Sequence, residues 1–543
     1  MEVAVADGPS LLDALREELG CRSVKDGCSP QGQCGCCTVW VDGAPRVACV
    51  TPVRRIAGRH VTTLEGVPDV VRRRWAGAFV ARGASQCGFC TPGLVMRLAA
   101  LDAGSGGRTA SRRDIEAGLR AHLCRCTGWQ SIVEAAEDAL GLAGGPAAAV
   151  APRDPVLAAW RAQIEGPYVQ VSGPGVVLGG GGFADDTSPP DALVQLGAEA
   201  PLAAGVRAAR AAAGRVQGRN STVPLSHPVG LPEGDWALTL RTTWVEPAYV
   251  EPDASWSRPG GTPASPLANG GAFGGKRHSP VPARAAALAG ETGQVVRVLW
   301  SREDVVRLGP KRPPVAVALR PDGTGVLRVG RTPGSAGLGP LLARVRALCP
   351  RVQVEEVAIA GPPVAPELRG AGWAELLAVV HAAGALPAPA GTGAVHVHLP
   401  DAGSARVALR LGEGERGRVD VEVWAGEVLD TVTLRSYALG AVHQALGMVW
   451  SEGIAVDDSG EPVDLTIRSF GILAARDMPE VTVTLHQEPT WPVNGSDAVF
   501  VATLAAAWLA DGLPPAWPTR RAAVRSPLRD VPASGHREEV EQP

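Results

Sequence analysis

The chain is poor in several things, and each shortage excludes a class of function. Past Cys126 it has one cysteine, Cys349, so thiol chemistry is confined to the N-terminal quarter, which holds the other ten of eleven. It has no excess of either charge: 52 basic residues face 55 acidic ones, for a net charge of −3. A balance of that kind gives no long-range field to gather nucleic acid or anionic lipid. It has no long apolar run, the longest being "AVFVATLAAAWLA", well short of the roughly 20 residues that cross a bilayer. Its opening, "MEVAVADGPSLLDALREELG", lacks a basic leader followed by an apolar core. Histidines are scattered, and although "VHVHL" puts His396 and His398 on one strand face, alternate solvent-facing residues are the commoner reading than a metal pair. The expectation is a cytoplasmic chain with no nucleic-acid and no membrane partner.

With 543 residues, 45% of them hydrophobic, the chain can bury several cores. "LLDALREELG" has helical spacing closed by Gly20, and "CTVWVDGAPRVACV" alternates as two strands about an Asp-Gly turn. Residues 1–67 therefore read as a small helix-plus-sheet domain. Residues 68–144 read as helical, with "TPGLVMRLAALDAG", "SRRDIEAGLRAHL" and "SIVEAAEDALGL", the second capped by Ser111 with a glutamate as its reciprocal partner. An Ala/Pro linker over 145–165 relaxes into a short helix. Residues 166–524 alternate short strands, Gly/Pro turns and Ala-rich helices without a repeat, and the polar tail 525–543 is expected to be disordered.

In a reducing cytosol clustered cysteines are metal ligands or redox groups rather than disulfides. Cys28, Cys34 and Cys37 form C-x5-C-x2-C, with Cys49 beyond a hairpin. Plant-type [2Fe-2S] loops use C-x4-C-x2-C and a distant fourth cysteine, so this first gap is one residue longer. A structural zinc site is the alternative, but the loop lacks the second local pair that zinc knuckles use. Cys36 could compete with Cys37, the x2 spacing favouring Cys37; Cys21 and Cys36 read as spare small residues. Farther on, Cys87, Cys90, Cys124 and Cys126 make a C-x2-C and a C-x-C, a second four-thiolate set. The redox C-x-x-C alternative for Cys87 and Cys90 has no thioredoxin-like strand before it.

Together "LLDALREELG", "CGCCTVWVDG", "QCGFCTPG" and "CRCTGW" resemble the iron-sulfur subunit of the molybdenum hydroxylases, the xanthine dehydrogenase, aldehyde oxidoreductase and carbon monoxide dehydrogenase family. The resemblance implies an α+β multidomain chain: a ferredoxin-like β-grasp [2Fe-2S] domain, an all-helical, four-helix [2Fe-2S] domain, and then a shortened α/β molybdopterin-binding region. It implies two [2Fe-2S] clusters, the second nearer the pterin, with Gln86 matching a pterin-contacting glutamine. Family members open with a strand pair where this chain has only "MEVAV", so an incomplete first sheet edge is expected.

Residues 166–524 resemble the molybdenum-cofactor subunit in "VVLGGGGFADD", "AYVEPDASW", "GGAFGGK", "LWSREDVVRLGPKRPP" and "PELRGAGWAEL", in the family's order. Gly271, Phe273 and Gly274 would then approach the molybdenum ligands, and Arg369 and Glu251 would face substrate. The glycine loop also satisfies G-x-x-x-x-G-K, but Arg277 replaces the Ser/Thr that a phosphate loop needs for magnesium; a plain turn is the other alternative. The family's general-base glutamate falls near Val501, which cannot accept a proton. The nearest carboxylate, Asp497 in "NGSD", reads as a helix cap, and the glutamine-containing segment before the glycine loop is missing. Two functions follow as expectations. The first is a molybdopterin oxidoreductase that oxidises a small aldehyde or heterocycle and passes electrons through its clusters to a separate flavin-containing subunit or soluble acceptor, as one copy or in an oligomer. The second is an electron-transfer or complementing subunit whose molybdenum region is degenerate.

Overall fold

The computed structural model describes residues 3–4, 8, 10–103, 110–142, 153–166, 171–214, 223–265, 271–335, 337–412 and 416–520. The tail expected over 525–543, the start of the linker and most of "MEVAV" lie outside them.

The first unit builds as its sequence suggests. Ser10 caps the turn Leu11–Asp13, which widens into Ala14–Glu18. Strands Thr38–Val41 and Ala44–Val47 pair antiparallel across Asp42 and Gly43, whose φ angles of 50° and 76° are those that a two-residue hairpin of matching twist requires. A third strand, Val61–Thr62, pairs with the other edge of Thr38–Val41. Val39 and Val41 meet Leu11, Leu12 and Leu15 in a small core.

Four helices follow: Asp69–Arg82, Thr91–Ala103, Arg112–Gly118 and Gln130–Ala139. Ser111 does cap the third, but its reciprocal partner is Asp114 rather than a glutamate, because only the third residue after a cap can reach back to the cap's own N–H. The linker ends in helix Pro155–Glu165, capped by Asp154.

Among the described residues the remainder contains three four-stranded sheets. One runs Ala203–Ala204, Leu193–Leu196, Val296–Leu299, Ala254–Ser257; the second Val352–Ala358, Gly325–Arg331, Val315–Leu319, Leu238–Arg241; the third Thr392–His398, Ser404–Arg410, Arg418–Trp424, Glu480–His486. Each mixes parallel and antiparallel pairs. Two apolar helices, Thr431–Trp450 and Ser496–Ala510, pack together at the centre, the second also against the third sheet. Among the described residues no helix is long and apolar enough to cross a membrane.

Helix Thr431–Trp450 also presses on the helical unit. A Cβ on Gly440 would lie 1.9 Å from the Cys126 carbonyl oxygen, and one on Gly128 would lie 2.3 Å from that of Leu439. Only glycine permits this backbone contact. One turn on, His443 is fully buried with its Nε2 bonded to the Leu473 carbonyl at 3.0 Å. Burial first, then the nearby Arg125 charge, lowers its pKa from 6.5 to about 4. The unfolded chain thus binds a proton that the native state refuses between those values, so stability is complete above pH 6.5 and declines as pH falls toward 4. Compared with His443→Gln, the wild-type advantage in thermal midpoint should be larger at pH 7.5 than at pH 5; an advantage independent of pH would contradict this.

Candidate cluster sites and the adjoining cavity

The loop between the first helix and the hairpin brings Cys28, Cys34 and Cys37 inward, each at most 2% exposed, and the turn after the hairpin adds Cys49 at 6%. The Cys28 sulfur accepts the backbone N–H groups of Gln31 and Gln33 at 3.3 and 3.4 Å, and the Cys37 sulfur that of Cys49 at 3.4 Å. Cys28 is held well below the ordinary thiol range by its bonds to Cys34 and Cys49, while those two are pushed above it. Crowded acids without a cation cannot all ionise. Iron removes that conflict, and sulfurs that already accept N–H bonds suit the thiolate form, so these residues fit a [2Fe-2S] cluster.

The second set is arranged in pairs. Cys87 and Cys126 have their sulfurs 3.5 Å apart, and Cys90 bonds Cys124. Cys124 is lowered to about 6 by Cys90 first and the Thr127 hydroxyl after it, whereas Cys90 and Cys126 are raised. Among the described residues no three or more His, Cys, Asp or Glu side chains gather around a single-ion site. A binuclear cluster shares four thiolates between two irons, and the thiol pairs match that demand. The two loops abut: Leu123 N–H donates to the Cys34 carbonyl at 3.0 Å, and the Thr38 hydroxyl meets His122 Nε2 at 3.2 Å. Cys36, read from sequence as a spare residue, is buried between the sets and interacts with Cys28 and Cys37 on one side and Cys124 on the other.

Where the resemblance places a pterin, several of the matching residues have partners within the chain, although the Gln86 Oε1 is left without one. Gln86 Nε2 donates to the Cys126 carbonyl and the Ser436 hydroxyl, both at 3.0 Å. Gly271 approaches Cys126, with a Cβ there 3.1 Å from its sulfur, and a Cβ on Gly274 would strike the Glu367 carbonyl oxygen at 2.3 Å. Phe273, at φ 44°, stacks under the Arg369 guanidinium. The cavity bounded by Phe273, Arg369, Gln444 and Phe500 holds about 30 Å³, one water's worth, against the several hundred Å³ that a cofactor pocket needs. Its walls are tied by buried ion pairs: Arg125 with Glu452, Arg302 with Glu246, and Arg312 with Glu375 at 2.8 Å. As the described residues stand, this cavity is too small for a molybdopterin.

The substrate-facing residues are likewise engaged. Arg369 donates to Asp497 at 2.8 Å and to the Ser496 hydroxyl at 2.5 Å. Asp497 is therefore an ion-pair partner and not the cap; the Asn494 side chain accepts the Asp497 N–H at 2.9 Å. Glu251, expected to face substrate, is not among the residues lining this cavity: it is buried and bonded to Lys276 at 2.9 Å. That bond also turns the lysine of the G-x-x-x-x-G-K match inward. Val501 is wholly buried in helix Ser496–Ala510. His396 and His398 are both exposed on one face of their strand. Sequence reasoning missed Arg125, Glu246, Arg302, Arg312, Glu375 and Glu452, whose partners lie up to 327 residues away and leave no local spacing signal.

A family model described as "[2Fe-2S] binding domain" matches residues 63–137. The chain is 41% identical over 146 residues to the aldehyde oxidoreductase of Megalodesulfovibrio gigas, a match spanning 26% of this chain but only 16% of that protein. It is 41% identical over 132 residues to the xanthine dehydrogenase iron-sulfur-binding subunit of Escherichia coli O157:H7, covering 24% of this chain and 82% of that subunit. The crystal structure of the aldehyde oxidoreductase from Desulfovibrio desulfuricans ATCC 27774 has the same fold at 15% identity, with a TM-score of 0.71 over 96% of this chain and 98% of that one. An iron-sulfur region matched across most of a relative's length, continuous with the fold of an aldehyde oxidoreductase, makes this chain a member of the molybdenum hydroxylase family.

Proposed function

We propose that the chain is an electron-transfer member of this family carrying two [2Fe-2S] clusters, one held by Cys28, Cys34, Cys37 and Cys49, the other by Cys87, Cys90, Cys124 and Cys126. Each cluster, when bound, takes up and releases one electron. The observation that carries the reading is the contrast between two abutting sets of thiols, fit for iron, and a neighbouring cavity of about 30 Å³ closed by ion pairs. Oxidation of an aldehyde or heterocycle at a molybdenum centre, with Arg369 and Glu251 orienting substrate, is not favoured, because both side chains are committed to internal partners. The second half then serves as a scaffold against which the helical cluster unit is held. Electrons would come from, and go to, separate proteins, a flavin-containing subunit or a soluble carrier among them; two relatives of the iron-sulfur region are themselves named as subunits, of a xanthine dehydrogenase and of a nicotine 6-hydroxylase.

Metal analysis of the purified protein should find four irons per chain and no stoichiometric molybdenum. Cys49→Ser and Cys124→Ser should each lose about two irons and a different one of two reduced-state paramagnetic signals. One molybdenum per chain, extracted with a pterin, would overturn the scaffold reading; full iron in both variants would overturn the ligand assignment. Glu452→Ala strands Arg125 as a buried unpaired charge and should cost about 3–5 kcal/mol of stability, measured as a fall in denaturant midpoint, with Glu452→Gln intermediate.

A further inference from the structure

Two cysteines of the N-terminal quarter, Cys21 and Cys36, belong to neither set of four, and their places differ. Cys21 is half-buried at the margin of the small core, whereas Cys36 is 1% exposed and lies between the sets. It shares the large core with Cys28 and Cys34 of the first set and with Cys90, Cys124 and Cys126 of the second. Cys37, its neighbour in sequence, packs instead with Cys49, Leu11 and Leu15 in the small core, and its sulfur accepts the Cys49 N–H at 3.4 Å. The chain thus gathers Cys37 with Cys49 and leaves Cys36 beside Cys34.

The backbone that carries Cys36 is fixed on both sides. The Gly35 carbonyl accepts the Thr38 N–H at 3.2 Å and the Thr38 hydroxyl at 2.7 Å, and the Cys36 carbonyl accepts the Lys25 N–H at 3.3 Å. Gly93 presses on both residues, a Cβ there lying 2.4 Å from the Gly35 carbonyl oxygen and 2.9 Å from the Cys36 Cα. With its main chain held, the thiol has two acceptors on Cys34 within reach. The Cys34 carbonyl is 3.8 Å away and already takes the Leu123 N–H at 3.0 Å. The other is the Cys34 sulfur, whose thiol is pushed well above the ordinary range by its bond to Cys28 first and to Cys36 next. Iron takes up a cysteine only as thiolate, and a thiolate accepts but has no proton to give. Cys36, buried and outside the ligand set, keeps its proton, because burial disfavours a lone thiolate.

We propose that Cys36 is a positioning residue of the first cluster, its S–H donating to the Cys34 thiolate and holding the reduction potential of that cluster up; the proposal rests on the two-cluster reading above. A hydrogen bond to an ionised acceptor is of the stronger kind. Reduction adds one negative charge, part of it on the ligand sulfurs, so a donor there stabilises the reduced form more than the oxidised one.

The test titrates the holoprotein and its Cys36→Ala and Cys36→Ser variants with dithionite in the presence of mediator dyes, following the two reduced-state paramagnetic signals separately. The first cluster's signal is the one that Cys49→Ser removes. In Cys36→Ala the ratio of reduced to oxidised first cluster at a fixed potential should fall about tenfold, which is about 59 mV for a one-electron couple. Four irons should remain, with the midpoint of the second signal as in wild type. Cys36→Ser, whose hydroxyl still donates, should recover at least half of the fall. An unchanged first midpoint, a serine variant as low as the alanine one, or a shift confined to the second signal would each overturn the proposal. Loss of two irons in Cys36→Ala would also overturn it, by making Cys36 a ligand or a merely structural residue. Wild-type protein with fewer than four irons would instead overturn the reading beneath it.

Discussion

The structure turns on the contact between the Cys124–Trp129 loop and helix Thr431–Trp450. Gly128 and Gly440 let two backbones approach where any side chain would collide. Around that contact hydrogen bonds tie the two halves together: Gln86 donates to the Cys126 carbonyl and Ser436, Gln444 donates to the Arg125 carbonyl at 3.3 Å, the Trp129 indole donates to the Leu473 carbonyl at 2.8 Å, and Arg125 reaches Glu452. The loop that carries half of the second thiol set is therefore positioned by the far half of the chain. A thiol pair 3.5 Å apart can stay in register only if its loops are held on both sides.

Buried ion pairs are a costly way to fill a cavity, since desolvation offsets much of their attraction and apolar residues of similar volume often do better. Their value here is in direction. Arg125, Arg312 and Arg369 are planar donors that tie Glu452, Glu375 and Asp497 from separate elements, so each fixes both distance and orientation. Arg369 is further gripped by Phe273 and Phe500, with ring centroids 5.3 and 5.4 Å from its guanidinium carbon. A region with the fold of an aldehyde oxidoreductase is tied together from within by these pairs.

What could be read from sequence was what local spacing encodes. Cysteine intervals identified both thiol sets, the Asp42-Gly43 turn placed the hairpin, and Ser111 marked a helix start, because in each case the chemistry lies within a few residues. Helix Asp69–Arg82 was less legible: it starts behind Pro68 without a side-chain cap, and its three consecutive arginines blur the apolar face of Trp75 and Phe79. Glu251 drew attention through a motif, yet it is Glu246, five residues earlier, that lines the cavity together with Glu452. Asp497 lost the capping role its sequence suggested, because Arg369, 128 residues away, claims it, and the Asn494 side chain accepts its N–H instead. Fold class and thiol sets are local properties of the chain; occupancy of the central cavity is decided by pairs that meet only on folding.

The two thiol sets consequently have unequal surroundings. The second lies against the scaffold, with Gly271 and Gly440 at its door, and the nearest cavity admits little more than a water. The first is backed by a small core of its own and faces a broad groove across Cys49 and Val50. Between them Cys36 is enclosed by both loops with no route to solvent beyond its 1% exposure. Burial raises the cost of adding charge to a site, and exposure lowers it. Each set is thus backed by protein, the first by its own small core and the second by the far half of the chain, and each keeps one thiol toward an edge: Cys49 beside the exposed Val50, and the half-buried Cys87.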